Sequence, residues 1–284
     1  MKLDWLVVLL DEIAATTWGL LKLSRTLGNH TSETTVTETN VLRLRAASVI
    51  RGLPVQVHQF TQIRERQTGA DLELWVETDG GAALGFSIQA KRLYSGTKTK
   101  NYNKLRERDD KSGKYQYETL MDHADSVGSI PIHVFYNGGD IEEVPSLVAG
   151  WRRPHDVYGC AAMRTSDVVA IRKAAGKNGS HRGTSAALFV ASQFPWSDLF
   201  RLPPATQAVG EPASTDMSDL AAVARSIGHG DNVLAPTLPP YLASPDVDPA
   251  QYGSLPSFAI VVRESDLPES GDADSEDDLA SESS

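Results

Sequence analysis

The chain has 284 residues, of which 40% are hydrophobic and 23% are charged, so it can bury one large core or two modest ones and has the composition of a globular protein. Its single cysteine, Cys160, excludes an intramolecular disulfide and favours a reducing cytoplasm. The apolar stretch from Leu6 to Leu10 is flanked by acidic residues and is too short to span a bilayer, so we expect no membrane segment there.

The net charge of −10 comes almost entirely from the C-terminal tail. Residues 264–284 hold nine of the 37 acidic residues and no lysine or arginine, so the 28 remaining acids nearly balance the 27 basic residues. Because this tail is also poor in apolar residues, we expect it to be disordered. Residues 91–114 carry nine basic residues against three acids, which predicts a locally positive surface.

The first half of the chain alternates between helical and strand patterns. Residues 1–28 have a helical pattern, and a second helix is expected from the capping-box pair Thr35 and Glu38 to the stop at Gly52. Three strands follow, and we expect them to form a meander. Their residue ranges are 55–63, 69–76 and 85–91.

The second half of the chain completes a mixed α/β pattern. We expect a polar basic loop, a helix, a buried strand and another helix, over residues 94–113, 115–127, 130–136 and 166–175. A further helix at 218–227 and a last strand at 258–262 are expected near the C-terminus. The core order is therefore α-β-β-β-α-β, a mixed sheet flanked by helices. We expect an α/β domain, a proline-rich extension packing on it and the acidic tail, over residues 1–202, 203–263 and 264–284.

Polar residues share one face on each of two neighbouring strands. A period of two places Asp71 and Glu73 on one face of the first strand, and Gln89 and Lys91 on one face of the second. If the two strands pair in a suitable register, these four side chains converge. A carboxylate beside a Gln-x-Lys tripeptide can hold a divalent metal ion and present a lysine to the water bound to that metal.

Oxygen ligands of this kind suit Mg²⁺ or Mn²⁺. Asp71 offers a carboxylate, Ala90 its main-chain carbonyl and Gln89 a neutral amide oxygen, while Lys91 can orient water or stabilise developing negative charge. Because Gln89 carries no charge, the site needs a further carboxylate. The candidates for this role are Glu33, Glu38 and Glu73.

The order of these elements resembles the PD-(D/E)XK, or restriction-endonuclease-like, nuclease superfamily. Within it, GADLEL and GFSIQAKR resemble the Mrr-type variant, in which glutamine replaces the acidic residue of the third motif. The segments SETTVTETNVLRL, TGADLELW, QAKRLY and IPIHVFYN are similar to an uncharacterised bacterial family assigned to that superfamily, and the resemblance covers roughly residues 30–200.

The resemblance implies a catalytic core of Asp71, Gln89 and Lys91, with Glu33 or Glu38 as the acid from the helix. It also implies a restriction-endonuclease-like fold and a Mg²⁺-dependent nuclease that acts on DNA, with prokaryotic defence as its context. The sequence departs from the superfamily pattern at Gln89, where the usual carboxylate is missing.

Basic residues directly follow the candidate site and are expected to hold a phosphate backbone, unless they form only a solvated loop. They are Lys98, Lys100, Lys104, Arg106 and Arg108. Gln116 lies on the inner face of its helix, either as a polar residue near the metal or as a core glutamine. We interpret His123 and His133 as structural histidines.

The sequence therefore supports two main hypotheses for function. The first is a metal-dependent endonuclease acting on DNA. The second is a catalytically inactive nucleic-acid-binding or protein-interaction module with the same fold, which the missing carboxylate at Gln89 favours. A third interpretation, in which the polar strand face is simply solvated, applies if Asp71, Gln89 and Lys91 do not converge.

Overall fold

A computed structural model describes a large part of the chain. The described residues are 3–60, 68–95, 100–102, 105, 108, 113–138, 154–176, 185–190, 192–201, 220–227, 234–243, 252 and 255–263. Within these ranges, no helix is both long enough and apolar enough to cross a membrane. The predicted acidic tail, residues 264–284, lies outside the described residues.

Two long helices open the fold. Helix α1 spans Asp4–Thr26 and buries an apolar stripe against the sheet. Helix α2 spans Glu33–Arg51, and the Ser32 hydroxyl caps it by accepting from the backbone N–H of Thr35 at 3.0 Å. The predicted start at Thr35 is therefore wrong, because Ser32 supplies the cap three residues before Thr35. As a result, Glu33 lies in the first turn of α2 and Glu38 in the second.

In the described part of the chain, eight strands form a mixed sheet. They are β1 (Val55–Gln59), β2 (Leu72–Glu77), β3 (Ala83–Ser95), β4 (Lys100–Tyr102), β5 (Ile130–Tyr136), β6 (Cys160–Arg164), β7 (Phe194–Pro195) and β8 (Phe258–Arg263). The order across the sheet is β1-β8-β2-β3-β5-β6-β7, with β4 paired to the end of β3.

Shorter helices follow the sheet strands in the second half of the chain. They are α3 (Gln116–Val127), α4 (Thr165–Gly176), α5 (Ala186–Val190), α6 (Leu220–Ser226) and α7 (Pro240–Ala243), with 3₁₀ helices at His155–Gly159 and Trp196–Phe200. Helices cover both faces of the sheet, so the predicted mixed α/β architecture is confirmed.

The last strand, β8, occupies an inner position of the sheet. It runs antiparallel to β1 and parallel to β2, and it separates the two. The predicted meander of the first three strands is therefore wrong. The reason is that β8 has four consecutive buried residues (Ala259–Val262) and fits a position covered on both faces, whereas β1 is only partly buried and lies at the edge.

The strand pair at the centre of the sheet has the predicted alternation. Strands β2 and β3 are antiparallel, with Leu72 opposite Ile88 and Leu74 opposite Phe86. These apolar side chains belong to the core that α1 and α2 cover. The other face carries Trp75, whose ring packs over Gly85. A Cβ atom at position 85 would lie 2.3 Å from this ring, so only glycine fits there.

The basic segment after β3 is not only a loop. Strand β4 forms a short hairpin with the end of β3, in which Leu93 is opposite Tyr102 and Ser95 is opposite Lys100. Burial of Tyr102 explains the pairing, because its ring lies 4.4 Å from that of Phe135 and its hydroxyl donates to Asn137 at 2.8 Å. Strands β6 and β7, which extend the sheet beyond β5, were not predicted from the sequence.

Candidate active site

The candidate site lies where the start of β2, the middle of β3 and the start of α2 meet. Asp71 directly precedes β2, and its Oδ2 accepts a hydrogen bond from the backbone N–H of Ala90 at 2.6 Å. The next residue along β3, Lys91, is a buried lysine. Pairing of the two strands therefore brings Asp71 next to the tripeptide that contains Lys91.

Glu33 joins this cluster from the first turn of α2. Its Oε1 lies 3.5 Å from Lys91 Nζ, and its Oε2 accepts from the backbone N–H of Arg92 at 2.9 Å. The side chain of Glu33 is 21% exposed and that of Lys91 is 2% exposed, so the carboxylate lies between solvent and the buried ammonium. The Ser32 cap fixes the start of α2 and thereby sets where this carboxylate meets β3.

Gln116, the first residue of α3, approaches Lys91 from another side. Lys91 Nζ donates to Gln116 Oε1 at 3.3 Å. The ammonium is thus held between a carboxylate of α2 and an amide oxygen of α3, which compensates its burial and limits its movement. Of the two interpretations of Gln116, its contact with Lys91 favours a residue of the candidate site.

Gln89 ties β3 to the chain that precedes Asp71. Its Nε2 donates to the carbonyl oxygen of Gly69 at 3.0 Å, and the residue is buried. Gly69 has φ of 66°, and a Cβ at this position would lie 2.6 Å from the carbonyl oxygen of Gln116. Only glycine allows the chain to pass this close to the backbone of α3. Gly69 therefore contacts both Gln89 on β3 and the start of α3, where Gln116 contacts Lys91.

An open groove beside Asp71 is lined by three carboxylates, those of Asp71, Glu33 and Glu38, together with Thr37 and Phe258. Carboxylate oxygens are the ligands that Mg²⁺ and Mn²⁺ prefer, so the donor chemistry of the groove fits these ions. In the part of the chain that the structure describes, no group of three or more His, Cys, Asp or Glu side chains is close enough to hold a metal ion. Metal binding therefore requires Glu33 or Glu38 to turn towards Asp71.

Glu73 belongs to a different cluster. Its Oε1 lies 2.6 Å from His123 Nε2, and its Oε2 accepts from Trp75 Nε1 and from the Tyr241 hydroxyl, each at 2.8 Å. The residue is fully buried. Because both carboxylate oxygens accept from protein donors away from the groove, the structure does not bring Glu73 together with Asp71 as a ligand.

Ala90 and the predicted nucleic-acid-binding residues were the remaining candidates for the site. Ala90 directs its side chain into the apolar core and its N–H to Asp71. Lys100 is exposed at the start of β4, and Arg108 donates to the Tyr115 hydroxyl at 2.6 Å. Three of the predicted nucleic-acid-binding residues, Lys98, Lys104 and Arg106, lie outside the described residues.

Two basic residues near the site, Arg92 and Arg172, were not predicted from the sequence. Arg92 follows Lys91, places its guanidinium 4.9 Å from the centre of the Tyr94 ring and donates from its backbone to Glu33. Burial lowers the pKa of Arg92, although Tyr94 and Glu33 act in the opposite direction. Arg172, on α4, packs against two tyrosines at the start of α3. No local pattern marks Arg172, since its partners are more than 50 residues away in sequence.

His133 lies on β5, opposite Gln89 in the parallel pair with β3. Its Nδ1 lies 3.0 Å from the Thr165 hydroxyl. Burial, followed by the positive charges of Lys91 and Arg172, lowers the pKa of His133 to about 3. The imidazole is therefore neutral at pH 7, in agreement with a structural role.

This neutral histidine predicts a loss of stability in acid. Unfolding restores the ordinary histidine pKa, so the unfolded chain binds one more proton between about pH 6.5 and pH 3, and stability falls as pH falls through this range. We compare the free energy of unfolding of His133→Asn with that of wild type at two pH values. This difference should be about 2 kcal/mol more favourable to the variant at pH 5 than at pH 7.5. Urea unfolding of both proteins at the two pH values measures this gain, and parallel stability curves would contradict it.

No protein with a curated description matches this chain. Residues 6–269 match the sequence profile of a family described as a family of unknown function, DUF6615. This match includes the helix that carries Glu33, the strands that carry Asp71 and Lys91, and the inserted strand β8. The chain therefore belongs to the DUF6615 family.

Proposed function

We propose that this protein is a metal-dependent phosphodiesterase that cuts DNA at the groove beside Asp71. The observation that carries the proposal is a buried lysine with a defined position beside Glu33, one of the carboxylates that line the groove. Lys91 is held by Glu33 and Gln116 and directly follows Ala90, whose N–H binds Asp71. Burying a lysine costs free energy, and buried charged residues with fixed partners are often found at functional sites. This cluster is therefore the strongest candidate for catalysis.

In this proposal Asp71 and one acid of α2 hold Mg²⁺ or Mn²⁺. Glu33 and Glu38 both line the groove, and Glu33 also contacts Lys91. When bound, the metal ion would polarise the phosphoryl oxygens and lower the pKa of an attacking water. Lys91 then supplies positive charge where the transition state develops negative charge.

Gln89 acts in this proposal mainly by positioning. Its amide nitrogen donates to Gly69, and its neutral oxygen can serve as a weak ligand. The cluster therefore relies on the carboxylates of α2 for the charge that glutamine does not provide. Because Cys160 is a buried free thiol, we place this activity in a reducing cytoplasm, and defence against foreign DNA is the biological context that we propose.

The alternative is a nucleic-acid-binding or protein-interaction module without catalysis. One observation favours it: Asp71 accepts from the Ala90 N–H, and Glu33 accepts from both Lys91 and the Arg92 N–H. Two of the three groove carboxylates are thus already engaged with protein donors. Metal binding must compete with these contacts. In a module without catalysis, the same contacts stay intact.

Asp71→Asn tests the choice between these functions. We expect wild-type protein to cut DNA with Mg²⁺ or Mn²⁺ but not with EDTA, and the Asp71→Asn variant to be at least 100-fold slower, because it removes the carboxylate of the groove closest to β3. Calorimetric titration with Mn²⁺ should show a site in wild type that this variant lacks.

The matched control is Asp79→Asn, which makes the same change in the exposed turn after β2. It should keep both cleavage and Mn²⁺ binding. If wild type cuts neither DNA nor RNA and binds no Mn²⁺, the phosphodiesterase proposal is wrong and the binding module is favoured. Cleavage of RNA alone would keep the chemistry and replace DNA as the substrate.

A further inference from the structure

A second polar cluster lies at the start of α3, on either side of Gln116. Tyr115 and Tyr117 stack with ring centres 5.1 Å apart. The guanidinium of Arg108 lies 4.2 Å from the centre of the Tyr115 ring, and that of Arg172 lies 4.8 Å and 5.0 Å from the centres of the Tyr115 and Tyr117 rings. Two cations from distant parts of the chain therefore converge on one pair of tyrosines.

Arg172 has unused hydrogen-bonding capacity in this cluster. It is only 9% exposed, and among the described residues its buried Nε and Nη1 atoms have no hydrogen-bond partner. Within the described ranges, no carboxylate forms an ion pair with it. Burying a guanidinium without an anion is costly, and the faces of two tyrosines compensate only part of this cost. The remaining charge makes the cluster a place where an anion would bind favourably.

Tyr115 provides the accessible part of this cluster. Its hydroxyl oxygen accepts from Arg108 Nη2 at 2.6 Å, and the ring is half-buried. The hydrogen bond from Arg108 and the charges of both arginines lower the pKa of Tyr115. A phenol whose oxygen accepts from a cation is a stronger donor through its own O–H. Arg108 is exposed, so an anion at this hydroxyl can also contact a guanidinium directly.

The acidic residue beside the cluster does not neutralise it. Glu118 uses its Oε2 to accept from the backbone N–H of Tyr115 at 2.8 Å, as expected for an acid in the first turn of a helix. The side chain of Glu118 is exposed, and its carboxylate is therefore screened by solvent. The net charge of the four side chains Arg108, Arg172, Tyr115 and Glu118 remains positive.

The position of the cluster connects it to the candidate active site. Gln116, which lies between the two tyrosines, accepts from Lys91 Nζ at 3.3 Å. After burial, which is the larger cause, the charges of Lys91 and Arg172 both lower the pKa of His133, so both cations lie near this histidine. A nucleic-acid strand whose phosphate lies beside Lys91 would therefore place a neighbouring phosphate near Tyr115.

We propose that Arg108, Arg172 and Tyr115 form a phosphate-binding site that holds a phosphate of the nucleic-acid strand next to the one that Lys91 faces. This inference rests on the proposed function. The phosphate belongs either to an internal phosphodiester or to a terminal phosphomonoester, since both present the same acceptor oxygens to guanidinium and phenol donors.

The test measures binding in EDTA, so that cleavage plays no part. Fluorescence anisotropy with a 3′-labelled single-stranded DNA oligonucleotide, carrying either a 5′-hydroxyl or a 5′-phosphate, compares wild type with Arg172→Met and Tyr115→Phe. We expect Arg172→Met to weaken binding about 10-fold and to reduce the slope of log affinity against log salt by about 0.7, the value for one phosphate contact on a single strand. Tyr115→Phe should weaken binding about 3-fold.

The two oligonucleotides distinguish the two sources of phosphate. If Arg172→Met weakens only the 5′-phosphorylated strand, the site takes a terminal phosphate; an equal effect on both strands indicates an internal phosphodiester. Arg51→Ala, on the exposed end of α2, is the matched arginine control and should change neither the affinity nor the salt slope. Arg172→Met should also be at least as stable as wild type, because methionine removes an uncompensated buried charge.

The inference is overturned if Arg172→Met keeps the affinity and salt slope of wild type. It is also overturned if the loss of binding is explained by a loss of folded protein. The outcome is independent of catalysis. If no DNA is cut but Arg172→Met weakens DNA binding as expected, the phosphate site stands and the phosphodiesterase proposal fails. If DNA is cut and Arg172→Met binds like wild type, the reverse holds.

Discussion

Lys91→Met is expected to slow DNA cleavage by about 100- to 1000-fold, the usual effect of removing one group that stabilises a developing charge. Methionine has a similar length and no charge, so it fills the same buried space without providing the ammonium. The rate should fall in kcat rather than through a higher KM, because Lys91 acts in the transition state in this proposal. Steady-state cleavage of a labelled DNA duplex and single strand measures both constants.

The same variant should retain its stability. Lys91 is buried, so its replacement removes the cost of burying a charge while methionine fills a similar volume. Glu33 loses a partner in this variant, but it is partly exposed and keeps its bond to the Arg92 N–H. A stable but inactive Lys91→Met protein is thus the signature of a lysine kept for chemistry.

The control for this variant is Lys22→Met, on the exposed side of α1, which should cut like wild type. Lys91→Arg is an informative companion, because the larger planar guanidinium cannot occupy the space between Glu33 and Gln116 in the same geometry. Wild-type cleavage by Lys91→Met would refute a catalytic role for this lysine. A large loss of stability would instead assign Lys91 to the structure.

The approach of Asp71 to the Gln89–Lys91 tripeptide could be predicted from sequence because it depends on short-range features. A period of two fixes which side chains share a face, and a short turn between β2 and β3 favours the pairing of these two consecutive strands. The Ile130–Tyr136 strand was also predicted with the observed ends, since it is a mostly apolar run closed by Asn137. These features need no knowledge of distant segments.

The features that were missed or misplaced depend on distant partners. Strand β8 enters the sheet beside β2 although about 180 residues separate them in sequence, and no local pattern encodes this pairing. Likewise, alternation placed Glu73 correctly on the polar face, yet its partner Tyr241 lies 168 residues away. The face of a strand residue is a local property, whereas the partner that binds it is set by tertiary packing.

Glu73→Ala is expected to lower the free energy of unfolding by about 4 kcal/mol, the range for removing one member of a buried polar cluster. The substitution leaves three donor groups without their acceptor, on Trp75, His123 and Tyr241. Burial and the Glu73 carboxylate both raise the pKa of Tyr241, so its hydroxyl stays protonated and must find an acceptor. For a chain of this size we expect the melting temperature to fall by about 10 °C.

Glu77→Ala is the matched control on the same strand. Glu77 accepts from Arg263 Nε at 2.8 Å, but both side chains are partly exposed, so its loss should cost only about 1 kcal/mol. Glu73→Gln should fall between the two alanine variants. Glutamine keeps one acceptor oxygen for the cluster, but its amide N–H₂ meets donors where the second carboxylate oxygen accepted.

Comparison with Mn²⁺ binding then separates the two carboxylates that sequence alternation placed on one face. Asp71→Asn should remove the Mn²⁺ site with little change in stability, because Asp71 lines an open groove. Glu73→Ala should do the opposite, because both Glu73 oxygens bind buried protein donors. If Glu73→Ala instead kept wild-type stability and lost Mn²⁺ binding, Glu73 would be a metal ligand, and α2 would not need to supply the missing charge.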